Sequence, residues 1–332
     1  DFKGTIPEGA TPRCAIVRVR YHNYTCEHDI FVRQGYAPIT INGNAESDNN
    51  PAWTSYNVYR FDANNAPVYT KSPLEEGSLF RRGNRTAILA SNNDRSGFTF
   101  GVEPTGSFNV LEFGSATTSQ KTWSQLAPST DDVTNRFKEW SIAGDHERIA
   151  TIEDFYTLES TSIHSNINKA YGVLYGDGAT ETQKSVKEAF GYDHNEDPTN
   201  SKKGMRGCFV FNVNNSRNIF FPIGKSGYGR RKGMTSNGEK VGTLRYAQRT
   251  DYYNNDGTGN IQYVPLFYDL FERPGAIYQC RNRLESTNNE VKNSSAFDIN
   301  YFTMGFEGFE NGASNNSDGS DSDACFIRTV KY

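Results

Sequence analysis

Apolar and polar residues alternate most regularly in the middle and at the end of the chain. Residues 208–213, Cys-Phe-Val-Phe-Asn-Val, run into a turn cluster at 214–217, and an apolar run resumes at 219–223. This pattern predicts a β-hairpin. Alternate residues of the C-terminal segment 325–330 fall on opposite faces of a strand. The sequence therefore predicts a half-buried terminal strand that belongs to the core and closes against the hairpin.

A second hairpin is predicted near the N-terminus. Residues 14–21 and 29–34 have strand patterns, and the polar residues 22–28 form the turn between them. Two strands alone are marginal in water, so this hairpin either leans on the following domain or ends a preceding one. We therefore expect a β-rich segment at 1–40, followed by a ligand-binding domain at 41–332.

Helix signals occur at three places. Residues 72–82 begin with a cap residue, a proline and acids, which favours a short helix or helical turn. At 148–158, Thr151 can cap a helix whose apolar residues then recur at three-residue steps. A further helix is predicted at 180–190, where Gly191 stops it. Together with the strands, these signals predict an α+β fold.

The cysteines leave one covalent alternative open. The chain has five Cys, with no C-x-x-C pair, which argues against a zinc site. Cys14 and Cys26 flank the first hairpin and could pair across it in an exported protein. The alternative is that they stay reduced, and Cys208 and Cys325 are expected to be small buried hydrophobes within strands.

Composition excludes several function classes. The 332 residues carry a net charge of −4 and only 35% apolar residues. Segment 201–249 is rich in Lys and Arg, yet no nucleic-acid-binding motif is present, so no nucleic-acid partner is expected. No apolar run is long enough for a direct membrane span. Five His and no recognisable catalytic motif predict a protein that is not an enzyme.

Oxygen-bearing side chains cluster at 315–323. Calcium prefers such ligands, but their spacing is not that of an EF-hand, and a solvated acidic loop is the favoured explanation of the cluster. We therefore expect no cofactor and no metal, with calcium as the alternative.

The C-terminal third has the composition of a recognition surface. Tyrosine supplies contact area at low entropic cost, and small polar residues supply adaptable hydrogen bonds. Loops between residues 228 and 323 are therefore expected to bind a ligand. The candidate ligand-binding residues are Tyr228, Arg230, Tyr252, Tyr253, Asn254, Asn255, Asp256, Tyr278, Arg281, Arg283, Asn288, Asn289, Asn300, Tyr301, Asn311, Asn315 and Asn316.

Five segments, in order, resemble the C-type-lectin-like domains of the "major paralogous domain" group, found in Bacteroidales surface lipoproteins and fimbrial tip proteins. Their family patterns are W-x-T-x-N-V, a small-residue and aromatic segment, R-x-P-T-x-E-[ED]-[WF], F-x-P-x-x-G-x-R and S-V-R-C-V-K. The matching segments of this chain are 51–58, 77–80, 148–155, 219–231 and 325–331. Ala150 and Thr329 depart from the family's Pro and Cys, and Thr329 removes a disulfide that some members make there.

The resemblance implies a fold and a function. The fold would have two helices flanking irregular antiparallel sheets, and residues 1–40 resemble the last strands of an Ig-like or pilin-like domain whose beginning is missing. The function would be adhesion at the cell surface, by the distal part of a fimbrial tip protein or an outer-membrane lipoprotein. Some members of this fold clan are variable proteins diversified by retroelements, and their loops have a similar composition.

The expected partners are a host or bacterial surface protein or glycan, together with pilus subunits. One alternative is a structural pilus-assembly subunit without its own ligand. Another is an enzyme similar to formylglycine-generating enzymes, which share the fold clan but use active-site cysteines that have no counterpart here.

Overall fold

Antiparallel strands make up nearly all the regular structure in the described part of the chain. The structure is a computed structural model, and it describes residues 6–71, 75–81, 84–90, 105–127, 146–158, 166–174, 205–222, 253–255, 261–263, 275–279, 294–300, 305–310 and 324–332. The strands are β1 Arg13–Tyr21, β2 Cys26–Gln34, β3 Ala52–Trp53, β4 Val58–Phe61, β5 Pro67–Tyr69, β6 Ser78–Arg81, β7 Ala87–Leu89, β8 Ser107–Leu111, β9 Thr118–Thr122, β10 Glu147–Ile149, β11 Ile167–Leu174, β12 Met205–Asn212, β13 Asn218–Pro222, β14 Tyr253–Asn255, β15 Ile261–Tyr263, β16 Gly275–Gln279, β17 Ser294–Asn300, β18 Gly305–Glu310, β19 Ala324–Cys325 and β20 Thr329–Lys331.

The strands form several small sheets rather than one large one. The largest has the order β19-β6-β7-β8-β9, and three others have three strands each, in the orders β10-β20-β3, β11-β12-β13 and β16-β17-β18. The pairs β1-β2, β4-β5 and β14-β15 complete the set. The C-terminal strands β19 and β20 thus join two sheets whose other members come from the first half of the chain.

Helix is almost absent from the described residues, which are mostly antiparallel strand, so the predicted α+β fold with two flanking helices is wrong. The described residues contain one α-helix, α1 at Ile152–Tyr156, and one 3-10 turn at Ser124–Leu126. Within 72–82, where a helix or helical turn is expected, Ser78–Arg81 is instead strand β6, and the helix expected at 180–190 lies outside the described residues. None of the described helices is long and apolar enough to cross a membrane.

The one helix begins where the sequence predicts it. The Thr151 hydroxyl accepts a hydrogen bond from the Asp154 backbone N–H at 3.2 Å, and the Asp154 carboxylate accepts one from the Thr151 N–H at 2.7 Å. This reciprocal pair is a capping box. Arg148, the middle residue of β10, also donates to the Asp154 carboxylate, so the helix start is tied to the strand before it.

The predicted middle hairpin is confirmed, and the terminal strand is more buried than predicted. Strands β12 and β13 pair in register from Gly207↔Pro222 to Phe211↔Asn218. Strand β20 pairs with β10 on one side and β3 on the other, and residues 326–330 are all buried. The prediction of a half-buried strand is wrong because neighbouring sheets cover both faces.

The N-terminal hairpin is confirmed as a separate two-stranded ribbon. Its base packs on the middle hairpin, because the Phe31 ring lies 4.8 Å from Phe209 and 4.7 Å from Phe211, measured between ring centroids. Further out, Val17 and Ile30 lie opposite one another and are exposed. The ribbon therefore leans on the body at one end and presents an apolar face to solvent at the other.

The register of this ribbon excludes a disulfide between Cys14 and Cys26. Cys14 lies opposite Arg33 and Cys26 lies opposite Tyr21, so the two cysteines are at opposite ends of the ribbon. Seven strand positions correspond to roughly 20 Å, whereas a disulfide joins Cα atoms about 4.4 to 6.8 Å apart. Both thiols are free, as is the buried Cys208.

Candidate ligand-binding site

A buried aromatic cluster marks the place where the C-terminal segments meet the body. The Tyr278 side chain, in β16, is completely buried. Its ring centroid lies 5.6 Å from Phe221, 5.9 Å from Phe326 and 5.9 Å from Phe155. Its hydroxyl accepts from Asn57 Nδ2 at 3.3 Å and donates to the Pro222 carbonyl at 3.4 Å. We call Tyr278, Phe221, Phe326 and Phe155 the base cluster.

The base cluster gathers three distant points of the chain. Pro222 ends β13, Tyr278 lies in β16, and Phe326 follows β19; Tyr278 and Phe326 form a parallel β-bridge. Residues 222, 275–279 and 324–326 therefore lie together at one part of the body, and β16 is joined there to β17 and β18. Segments 223–274 and 280–323 thus each have both ends at this place.

A buried arginine holds the base cluster to the first half of the chain. Arg328 donates to Asn57 Oδ1 at 2.8 Å, to the Thr54 carbonyl at 2.9 Å and to the Phe220 carbonyl at 3.2 Å. Its guanidinium carbon also lies 4.7 Å from the centroid of the Phe221 ring. Burial lowers the pKa of Arg328. Every one of these acceptors is neutral, so the arginine positions backbone and ring atoms rather than pairing with an acid.

A polar network beside this arginine involves Tyr69. The Tyr69 hydroxyl donates to the Glu147 carboxylate, and the Thr329 hydroxyl donates to the same oxygen at 2.8 Å. Burial, followed by the charge of Glu147, raises the pKa of Tyr69 well above its usual value. These contacts fix β5, β10 and β20 relative to one another.

A cleft with tyrosines on its walls lies between the N-terminal ribbon and the body. Its volume is about 800 Å³, within the range of small-molecule sites. One wall is residues 6–10 and a second is residues 34–38, while residues 54–56, Tyr69 and Lys331 come from the body. We call this space the tyrosine cleft, after Tyr36, Tyr56 and Tyr69.

Arg33 holds the second wall of the tyrosine cleft in place. Its guanidinium donates to the carbonyls of Gly35, Ala37 and Asn218 at 3.1, 2.9 and 2.8 Å, and to Ser55 Oγ at 2.8 Å. Burial lowers its pKa to about 10, so it remains charged at neutral pH. The Arg33 side chain thus connects the end of β2 to the body at two places, Ser55 and Asn218.

The structure separates the predicted ligand-binding residues into three groups. Tyr253, Asn254 and Asn255 form strand β14, and Asn300 ends β17, so these four lie in strands rather than in loops. Tyr278 is a core residue, so its prediction as a surface ligand contact is wrong: its ring is enclosed by the base cluster. Outside the described residues lie Tyr228, Arg230, Tyr252, Asp256, Arg281, Arg283, Asn288, Asn289, Tyr301, Asn311, Asn315 and Asn316.

Sequence patterns missed the tyrosine cleft. Tyr36 and Tyr56 belong to short irregular stretches, and only the docking of the ribbon brings them together. One sequence signal for the cleft is available: a tyrosine directly follows each of two turn-like stretches, Tyr36 after Gln34-Gly35 and Tyr56 after Thr54-Ser55.

No metal centre is found in the described residues. No group of three or more His, Cys, Asp or Glu side chains lies close enough together there to hold a metal ion. The calcium alternative at 315–323 lies outside those residues.

Comparison of the chain with protein-family models, with curated proteins and with solved structures gives no match. The functional argument therefore depends on the geometry and chemistry of this chain alone.

Proposed function

We propose that this chain is a non-enzymatic ligand-binding module exposed at the cell surface, acting in adhesion as the distal part of a fimbrial tip protein or surface lipoprotein. It binds a protein or glycan through the segments between residues 223 and 323. The observation that carries the proposal is the base cluster, from which both polar segments depart.

The base cluster supports a single recognition surface. Because Pro222, Tyr278 and Phe326 meet there, the ends of both segments are held by the same rigid core. Because the aromatic core is closely packed, those ends have little freedom to move. Binding surfaces are commonly built from variable segments on such a rigid scaffold.

The composition of the segments also supports binding. Residues 252–257, Tyr-Tyr-Asn-Asn-Asp-Gly, and residues 311–323 are dominated by Tyr, Asn, Ser, Asp and Gly. These residue types give contact area and adaptable hydrogen bonds at low entropic cost. In addition, the five segments that resemble the adhesin family are neighbours in space: β20 pairs with β3 and β10, β19 pairs with β6, and Arg328 bonds to Phe220.

A structural pilus-assembly subunit is a second candidate, and the N-terminal ribbon favours it. Val17, Val19 and Ile30 share one face of the ribbon and are exposed. An exposed apolar face on a sheet with open edges is typical of surfaces that contact another polypeptide. Assembly through this ribbon and adhesion through residues 223–323 use different parts of the molecule.

Alanine substitution tests the adhesion proposal. The triple variant Tyr252→Ala, Tyr253→Ala and Tyr301→Ala should lose binding to arrays of cell-surface glycans and matrix proteins while the wild-type chain binds them. Tyr24→Ala is the matched control, because Tyr24 is 80% exposed at the far end of the ribbon. Thermal unfolding of both variants should stay close to wild type.

Two outcomes would contradict the proposal. The first is array binding that the triple variant leaves unchanged. The second is a wild-type chain that binds nothing on the arrays but is needed for fibres of normal length, which would establish the assembly role instead.

A further inference from the structure

We propose that the tyrosine cleft is a second binding site and that it takes a neutral saccharide. This inference goes beyond the proposed function, since the cleft is formed by the N-terminal ribbon and the body and uses no residue of segment 223–323.

The size and position of the cleft suit a small polar ligand. Its volume of about 800 Å³ is large enough for a ligand of more than one ring, within the range of about 300 to 1,000 Å³ for small-molecule sites. Such sites are commonly found where two structural units meet. Here the ribbon supplies Tyr36 and the body supplies Tyr56 and Tyr69.

The aromatic walls suit the carbon-bound hydrogens of a sugar ring. The rings of Tyr36 and Tyr56 lie 5.3 Å apart between centroids and are inclined at 36°. Tyr36 is 49% exposed, so part of its ring remains available to a ligand. An aromatic face carries partial negative charge, whereas the C–H face of a sugar carries partial positive charge. Stacking a sugar ring on Tyr36 therefore gives both apolar contact and electrostatic attraction.

The cleft also carries polar groups around its aromatic walls. Burial raises the pKa of the Tyr56 phenol, so its hydroxyl stays protonated at neutral pH. Ser55 Oγ donates to the Tyr36 carbonyl at 2.9 Å and accepts from Arg33. A sugar ring has hydroxyl groups along its edge that can hydrogen-bond to the polar groups of the cleft. A purely apolar ligand would bury those polar groups without partners, which is unfavourable.

The charges around the cleft favour a neutral saccharide over an acidic one. Glu8 and Lys331 both line the cleft and carry opposite charges. The one guanidinium beneath the wall, that of Arg33, already donates to four neutral oxygens. It is therefore not available for the bidentate pairing by which arginine recognises carboxylates.

The cleft is held in shape before any ligand binds. Arg33 fixes residues 35 and 37, and Thr54 on the opposite wall donates to the Thr329 carbonyl at 2.8 Å. A preorganised site loses less conformational entropy on binding. This smaller entropy loss matters most for small ligands such as disaccharides, because they bury little surface area on binding.

Titration with defined saccharides tests the proposal. The purified chain is titrated by calorimetry and by saturation-transfer NMR with lactose, maltose, cellobiose and N,N′-diacetylchitobiose. Sialyllactose serves as the acidic comparison and a decaproline peptide as the polypeptide comparison. We expect at least one neutral disaccharide to bind with a Kd of about 1 mM or tighter, and more tightly than either comparison.

Cleft variants then locate the binding. Tyr36→Ala and Tyr56→Ala should each weaken it about tenfold or more, whereas Tyr36→Phe, which keeps the ring, should retain most of it. Tyr24→Ala and the triple Tyr252, Tyr253 and Tyr301 variant should bind the disaccharide as wild type does. Because Tyr36 is half exposed, the Tyr36→Ala variant should fold, and it tests the site even if the Tyr56→Ala variant fails to fold.

Three results would overturn the proposal: no binding of any neutral disaccharide up to about 10 mM, tighter binding of sialyllactose or decaproline, or binding that the Tyr36 variant leaves unchanged. Loss of disaccharide binding in the triple variant alone would move the sugar site to segment 223–323. That result would support the adhesion proposal and reject this one.

Discussion

Polar side chains that are wholly or partly buried hold separate strands of this protein together. The Tyr69 hydroxyl, the Glu147 carboxylate and the Thr329 hydroxyl form one buried network. Burial and the neighbouring charge of Glu147 raise the pKa of Tyr69 well above its ordinary value of about 10. The folded state therefore holds the Tyr69 proton more tightly than the unfolded state does.

This proton gives a pH-dependent contribution to stability. Because the folded-state pKa of Tyr69 is raised, its contribution is fully present below about pH 10 and is lost as pH rises toward the folded-state pKa. We compare wild type with Tyr69→Phe by urea unfolding from pH 7 to about pH 11. The variant should be less stable at pH 7, and the difference should shrink above about pH 10. A difference that stays constant across this range would contradict the raised pKa.

The sequence predicts the environment of a side chain correctly where nearby residues determine it. The prediction fails where residues from distant segments determine that environment. Cys208 is buried as predicted, since it lies in an apolar strand whose pattern is visible locally. Tyr278 looks like a surface tyrosine in a polar region, yet distant residues Phe221 and Phe326 enclose it. Arg328 looks like a solvent-facing charge in a strand, and its partners are about 100 or more positions away.

At the scale of elements, α1 shows what a local signal can achieve. The Thr151 and Asp154 side chains accept hydrogen bonds from backbone N–H groups at its start. Both residues can be recognised as helix-capping residues from the sequence alone. Residues 72–82 carry comparable helix signals, but Ser78–Arg81 pairs with β7 and β19 to form a central strand of the largest sheet. Burial in a sheet outweighs a helix propensity of only a few tenths of a kcal/mol per residue.

The capping box gives a prediction at this scale. Thr151→Ala removes the acceptor for the Asp154 N–H at a buried position, so the free energy of unfolding should fall by about 1 to 2 kcal/mol. Thr151→Ser keeps the hydroxyl and is the matched control, with a much smaller loss expected. Urea unfolding of the three proteins measures this. Equal losses in both variants would show that the Thr151 methyl group, and not the cap, is what stabilises the helix start.

At the scale of the whole molecule, the C-terminal segment connects parts of the fold that local patterns treat as separate. Strand β20 lies between β3 and β10, and β19 extends the largest sheet at β6. The sequence predicts that this segment belongs to the core, but neither sheet partner follows from its pattern, because pairing between distant strands depends on the complete fold. The tyrosine cleft was unpredictable for the same reason, since its lining comes from five separate places in the chain.

Arg328 is the residue through which this connection can be tested. It joins the Thr54 carbonyl, Asn57 and the Phe220 carbonyl, and so links residues 54–57 to the middle hairpin. Lysine keeps the charge but cannot reproduce the planar set of donors. Arg328→Lys should therefore leave at least one buried acceptor without a partner and lower the free energy of unfolding by about 3 kcal/mol.

Arg18→Lys is the matched control, because Arg18 donates to Asp29 on the exposed ribbon and its loss should change stability little. The Arg328 variant should also lose binding by segment 223–323, since the base cluster that holds the segment's ends depends on this arginine. Array binding and urea unfolding measured on the same samples separate the two effects. If Arg328→Lys is as stable as Arg18→Lys, the guanidinium does not hold the halves together, and the common base proposed for the polar segments loses its physical support.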